Sequence, residues 1–418
     1  MNWEKIRLKD CCISIADGDH QPPPKSEKGI PFVTIANIVN NQFDFTNSMF
    51  VPNSYYEKLD GKRKAQKGDI LYSVVGSFGI PVLIKEDRPF VFQRHIAILR
   101  PSENIDARFL YYTMLSRDFY MKADAAAIGA AQRTVSLTAL RNIEITVPSI
   151  ETQRRIADIL SAYDNLIENN QKQIKLLEET AQRLYKEWFV DLHFPGYEHT
   201  KIVDGVPEGW DNVPLKKVVS YEIGGGWGED IITGKSECPG FVIRGTDIDG
   251  IKRGELSSIP YRFHSQGNLT SRKLQDGDII FEVSGGSKNT GVAKTLLITK
   301  SLLEMWKDPV ICASFCKLMR FDKPQIAQYI YDSLQYWRAI GETEEYEKKS
   351  ASSIINYRWK DFLEQKYVLI PEQEILQKYY AMSSSLYKQA VIYAITISRA
   401  TLSRDHLLPR LMSMEVKC

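Results

Sequence analysis

Five polar segments in the first 135 residues carry side chains able to read a nucleic acid. "DGDHQPPPKSEKG" (17–29) is held by three prolines and offers Asp19, His20, Gln21 and Lys25. "GKRKAQKGD" (61–69) supplies Lys62, Arg63 and Lys64, and the stretch 73–79 supplies Ser73 and Ser77. "FQRH" adds Gln93, Arg94 and His95, and "GAAQRT" adds Gln132 and Arg133 on a loop of small residues. Gln and Arg reach base edges with two hydrogen bonds at once in the major groove, whereas Lys and Ser mostly hold phosphates. The second half offers Arg244, Thr246, Ser284, Ser287, Lys288, Asn289, Lys348 and Lys349. Any one of these residues is more often a plain solvated side chain. Recurrence in corresponding loops of both halves is what gives the set weight.

Other chemistries are missing their parts. In "GGSKNTGVAKT" (285–295), Gly286 and Gly291 have P-loop spacing, but Val292-Ala293 stands where Lys-Ser/Thr is required. "GGGWG" (224–228) lacks the spaced glycines of a dinucleotide fingerprint, and no Asn/Asp-Pro-Pro-aromatic segment of an amino-methyltransferase occurs. The six histidines (His20, His95, His193, His199, His264, His406) show no metal-ligand spacing. No Cys-x-x-Cys pair occurs among the six cysteines, which read as scattered thiols of a reducing compartment. The net charge of +2 gives no global basic field, so DNA binding would have to come from local patches. No run approaches the ~20 apolar residues of a membrane span, and "MNWEKIRLKD" lacks an apolar signal core. The expectation is a cytoplasmic protein without a membrane partner.

The elements that must position the loops are written twice. "NWEKIRLKD" returns as "GWDNVPLKK", matching Trp3 to Trp210 and Leu8 to Leu215. "GIPFVTIANI" (29–38) resembles "PGFVIRGTDI" (239–248), and "KGDILYSVVGSFG" (67–79) resembles "DGDIIFEVSGGSK" (276–288). "ITVPSIETQ" (145–153) answers "VLIPEQEIL" (368–376), so the order is kept while the offset grows from 207 to 223. Each half reads as a mixed α+β unit of short strands and late helices, followed by a long helix. The Gly-Asp pairs at 68–69 and 277–278 suit tight turns into buried strands.

From Ile156 the first long helix repeats apolar positions in steps of four and three: Leu160, Tyr163, Ile167, Asn170, Ile174, Leu177, Ala181, Leu184 and Trp188. The 223-residue offset projects a rougher seam through Tyr379, Leu386, Ala390, Tyr393, Ile397, Ala400, Leu407 and Leu411, with Ser383 and Arg404 as polar exceptions. At ~1.5 Å per residue each helix extends about 50 Å. Two seams in one chain predict an antiparallel pair under pseudo-two-fold symmetry, with pairing between two chains as the structural competitor. Asn169 and Asn170 interrupt the first seam, and an antiparallel register is expected to set Asn170 close to Tyr393 with a shared hydrogen bond. Such an amide weakens a coiled coil yet penalises slipped registers.

The layout resembles the specificity (S) subunit of Type I restriction-modification systems over essentially the whole chain. The features that carry the resemblance are the Trp3/Trp210 starts, "DGDH…P…GIPFVTIANI", "GDILYSVVGSFG" and "GAAQRTVSLTALRNIEITVPSIETQRRIADIL". It implies target recognition domains at 1–148 and 194–371, separated by long helices at 149–193 and 372–418 that pack as an antiparallel coiled-coil spacer. Each recognition domain would read one half of a bipartite, asymmetric double-stranded DNA site. It further implies partners that do the chemistry. Two modification subunits would bind S-adenosylmethionine and methylate adenine, and restriction subunits would use ATP and magnesium to translocate and cut. This chain would then be non-catalytic and carry no cofactor of its own. The competing reading is a protein-interaction scaffold with a coiled-coil spacer. A self-sufficient methyltransferase is disfavoured by the missing cofactor motifs.

Overall fold

The computed structural model describes residues 3–20, 23–130, 132–285, 291–349 and 354–413. Gln21, Ser287, Lys288 and Asn289, together with the side chain of Lys349, lie outside the described set. Two compact units emerge: residues 1–165 with 402–418, and residues 166–401. Each is a mixed α+β body, as the repeat predicts.

The duplication is visible in the sheets. In the first unit a four-stranded antiparallel sheet runs in the order Cys12–Asp17, Ile96–Pro101, Ile70–Ser73, Pro81–Leu83. In the second, Tyr221–Gly224, Cys316–Arg320, Ile279–Glu282 and Thr295–Leu297 pair in the same order and sense. A three-stranded sheet follows in each unit. Ile30–Val33 pairs antiparallel with Met49–Val51 and parallel with Val91–Phe92. Cys238–Ile243 does the same with Tyr261–His264 and Val310–Cys312. A two-stranded closure, Glu4–Arg7 with Glu144–Val147, is answered by Asp211–Pro214 with Tyr367–Ile370.

The repeated Gly-Asp-Ile has a physical cause. Gly68 (φ 93°) and Gly277 (φ 86°) take the left-handed turn conformation that glycine tolerates without strain. The buried carboxylates that follow are fully engaged. Asp69 accepts Gln66 N–H (2.9 Å) and the fork of Arg100 (2.8 and 2.9 Å). Asp278 accepts Gln275 N–H (2.7 Å) and the fork of Arg320 (2.7 Å twice). A charge in a sheet core is tolerable only when paired in this way.

The central long helix spans Ile150–Tyr185 and the C-terminal one Gln373–Met412. Gln153 anchors the start of the former: its Oε1 accepts Asp106 N–H (2.9 Å), and its Nε2 donates to Asn104 O (3.2 Å) and Pro148 O (3.0 Å). Within each unit the two helices run antiparallel. In the first, Asp164 meets Arg404 at 2.7 Å, and Ile156 and Leu160 share a core with Leu408 and Leu411. In the second, the Trp188 and Tyr379 rings lie 5.8 Å apart, and Ile174 lines a cavity with Ala390, Val391 and Ala394. Ile156, Leu160, Ile167, Asn170, Ile174, Trp188, Tyr379, Ile397 and Leu411 are buried. Tyr163, Leu177, Leu184, Leu386, Tyr393 and Leu407 are half-buried.

The expected bond between Asn170 and Tyr393 is not formed. Asn169 is exposed, whereas Asn170 is buried with an Nδ2 that has no hydrogen-bond partner. Ile174 is level with Ala390 to Ala394, so the register sets Asn170 one turn further, toward the buried Ile397 and Ser398. An unpartnered buried amide costs about 1–3 kcal/mol. Asn170→Leu is therefore expected to raise stability by about 1–2 kcal/mol, read as a higher midpoint in thermal unfolding; a lower midpoint would show that the amide is satisfied.

The second unit also buries a carboxylate. Asp332, on the helix Pro324–Ala339, accepts from Tyr379 Oη (2.7 Å), from Gln328 Nε2 (3.1 Å) and from the Ser383 hydroxyl. Burial pushes its pKa up to about 6, against the opposing pull of these donors. Between the ordinary carboxylate value and about 6 the folded state holds a proton that the unfolded chain has released, so stability falls as pH rises through that window. Asp332→Asn keeps the acceptor oxygen without the charge. It is expected to raise the unfolding midpoint at pH 8 by the equivalent of up to roughly 3 kcal/mol, an advantage that shrinks toward pH 4. Equal differences at both pH values would contradict it.

Candidate nucleic-acid interface

The first unit gathers the sequence-predicted loops along one edge. Asp19 N–H bonds Phe92 O (3.0 Å), and Arg94 N–H bonds Asp19 O (3.0 Å), so the 17–20 and 93–95 segments lie side by side. This approach needs Gly18, where a Cβ would stand 2.2 Å from Phe92 O. The chain of contacts continues through Val74 N–H to His95 O (2.9 Å), Gly76 N–H to Arg133 O (3.0 Å) and Val135 N–H to Val74 O (2.9 Å). Segments 17–20, 74–79, 93–95 and 132–135 are thus laced together by main-chain bonds. Their side chains inherit fixed starting points, which recognition of base edges requires.

Charge along the edge is partly balanced. Asp17 lies 2.6 Å from His20 Nε2 and 3.5 Å from the Arg63 guanidinium, and Tyr55 donates its hydroxyl to Asp19. Gln93 Nε2 sits 3.3 Å from His95 Nδ1. Burial, and then the Arg94 charge, hold the His95 pKa below its usual value, leaving the ring neutral at pH 7 with one donor and one acceptor. Phe78 stacks on Tyr120 at 5.6 Å with rings nearly parallel, giving the 74–79 loop a rigid base. Lys25, Lys62, Ser77, Arg94 and Gln132 are exposed.

Several candidates require correction. Ser73 is buried in its strand, where its Oγ accepts Ile80 N–H (2.9 Å), so it cannot meet DNA. The Nζ of Lys64 caps Glu57 O (2.9 Å) beside the Tyr56 ring, a structural post for a short helix. Arg133 pairs with Asp124 (3.0 Å) and leans over Phe78, bracing its loop. Arg244 closes its guanidinium on Asp247 (2.7 and 2.9 Å), in the same capping place that Thr34 and Asn37 fill in the first unit. All four were named by residue type, and type does not reveal an internal partner.

The second unit builds the same edge. Gly225 and Gly226 donate to Cys316 O and Cys312 O (2.9 Å each), as Gly18 and Asp19 donate to Ile96 O and Phe92 O. Val283 N–H bonds Phe315 O and Tyr357 N–H bonds Val283 O (2.9 Å each), repeating the roles of Val74, His95 and Val135. Ser284 and Lys348 both pair with Asn356 across neighbouring strands, and Ser284 Oγ lies 2.8 Å from Asn356 Oδ1. Lys348 and Asn356 are exposed, as is Thr246. Superposed bond for bond, Trp227 stands where the first unit has His20, and Phe315 stands where it has His95. Sequence reasoning missed Trp227, Phe315 and Asn356. The structural equivalence of Arg100 with Arg320, an offset of 220 residues, sets Phe315 opposite His95.

Among the described residues no cluster of three or more His, Cys, Asp or Glu side chains could hold a metal, and no helix is long and apolar enough to cross a membrane.

Comparison with known proteins fits this architecture. Residues 1–179 match the family model of the Type I restriction modification DNA specificity domain. Over its whole length the chain is 24% identical to the Type I restriction enzyme MjaIX specificity subunit of Methanocaldococcus jannaschii, covering 94% of that protein. It is also 24% identical to the EcoKI specificity subunit of Escherichia coli, over 72% of this chain and 63% of the relative. The fold is similar to the crystal structure of the Type I restriction-modification S subunit from M. genitalium, with a TM-score of 0.60 at 16% identity over 98% of this chain and 96% of the other. The twice-built edge thus sits in a protein with a DNA-recognition domain. Residues 1–179 carry that family's domain, and over its whole length the chain is similar to specificity subunits of Type I restriction-modification systems.

Proposed function

We propose that each unit reads one half of a bipartite, asymmetric DNA sequence through its loop edge, with the long helices setting the gap between half-sites. The single observation that carries this reading is the construction of the same main-chain-laced edge twice in one chain from unlike side chains. Equal frameworks with different reading groups suit two different half-sites. The chain itself performs no chemistry. It directs two modification subunits, which bind S-adenosylmethionine, to an adenine in the target, and it directs restriction subunits that use ATP and magnesium to cleave.

Mapping methylated adenines after co-expression with the native modification subunits tests the proposal. A split motif is expected, and a contiguous motif or none counts against it. The scaffold alternative is separated by salt. A DNA reader that neutralises several phosphates releases counterions, so its affinity drops by orders of magnitude between about 50 and 200 mM salt. A protein scaffold shows no such dependence on duplex DNA. Within the proposal, Asn170→Leu relaxes the preference for one gap length; an unchanged preference across a series of gaps would assign Asn170 no part in the ruler.

A further inference from the structure

The turn linking the second unit's two sheets differs in kind from its counterpart. In the first unit the segment is Gln93-Arg94-His95, and in the second it is Ala313-Ser314-Phe315. The frameworks are the same: Phe315 O accepts both Val283 N–H (2.9 Å) and Ser284 N–H (3.2 Å), which pins the residue at the edge. Ala313 is buried, Ser314 is exposed, and Phe315 leaves 60% of its surface in solvent. Trp227 emerges from the adjoining Gly225-Gly226 segment. Its ring is covered by the Arg262 guanidinium at 4.6 Å, which Asp230 holds in an ion pair.

The turn has therefore lost every group able to grip G or A with two hydrogen bonds. The base-edge feature that an apolar ring can read in the major groove is the C5-methyl of thymine. We infer that the second unit recognises an A·T pair in its half-site by seating Phe315 against the thymine methyl group, with the immobilised Trp227 flanking it. This rests on the DNA-reading function proposed above.

The test uses the full chain in complex with its modification subunits, bound to a duplex carrying the methylated motif. Each thymine is replaced in turn by deoxyuridine, which removes only the methyl. One replacement is expected to weaken binding about fourfold, the worth of one buried methyl. With Phe315→Ala that same replacement has no further effect, whereas Phe315→Leu keeps part of the discrimination. Phe315 is exposed, so neither variant disturbs the core. A half-site built only of G·C pairs overturns the inference, as does a uridine scan in which no effect is cancelled by Phe315→Ala. So does a Phe315→Ala chain that no longer co-purifies with the modification subunits while keeping full methyl discrimination, because the ring would then be a protein contact. Each of these leaves the bipartite reading standing. A wild-type complex that binds no duplex, or methylates a contiguous motif, brings down both.

Discussion

Deleting residues 402–418 should unfold the first unit while sparing the second. The deleted segment lies at the far end of the chain from residues 1–165, yet its Leu408 and Leu411 are buried in the same core as Ile156, Leu160, Phe109 and Leu140. Truncating a buried leucine costs about 2–5 kcal/mol. The deletion also strips Arg404 from Asp164, leaving a largely buried carboxylate with Tyr112 Oη at 2.6 Å. That loss adds roughly 1.5–3 kcal/mol, the worth of a hydrogen bond to a charged group. The total approaches the whole stability of an ordinary domain, about 5–15 kcal/mol. Calorimetry is expected to lose one transition, and limited proteolysis to digest residues 1–165 while residues 166–401 stay protected. Leu411→Ala keeps the chain length and should lower the first unit's midpoint by roughly 5–15 °C, taking about 2–4 °C per kcal/mol for a unit of this size. A truncated chain with both transitions intact would mean that the C-terminal helix only rests on the unit.

This dependence explains part of what could be read without coordinates. Arg404 breaks the projected apolar seam as a polar exception. In the structure it is a deliberate partner for Asp164, a pairing 240 residues apart that no local pattern reveals. The Gly-Asp-Ile turns were legible because they depend on local geometry, a left-handed glycine and an adjacent acid. Their Arg100 and Arg320 clamps come from another strand and were not. The candidate edge was half legible. Loops rich in Gln, Arg and His announced themselves in the first unit, whereas in the second the corresponding places hold Trp227 and Phe315, residues that a search for polar chemistry passes over. Ser73 and Lys64 erred the other way, since one strand position or one nearby carbonyl decides whether a polar group meets solvent. The Asp332 cluster had no signature, because Gln328, Asp332, Tyr379 and Ser383 come from two helices distant in sequence.

Arg94→Ala should have the largest effect of any single side chain on sequence discrimination. Arg94 is exposed at the tip of its turn, and its backbone is fixed by the bond to Asp19 O. The rigid base beneath matters because a guanidinium reads guanine O6 and N7 only when its root is held still. Loss of such a two-pronged contact costs about 1–3 kcal/mol, or roughly 5- to 150-fold in affinity for the cognate duplex. Binding to a scrambled half-site should barely change, and the methylated motif should become degenerate at one position. Lys62→Ala gives the contrast: proposed as a phosphate contact, it is expected to weaken cognate and scrambled duplexes alike and to lower the salt slope by about one. Arg133→Ala separates position from chemistry. It lies on the same edge and carries the same group, but its fork is already engaged with Asp124, so it should lower stability more than specificity. If Arg94→Ala weakened every sequence equally, Arg94 would be a backbone contact, and base readout would pass to Gln93 or Gln132. Gln prefers adenine N6 and N7, so that outcome would also change the composition expected of the first half-site.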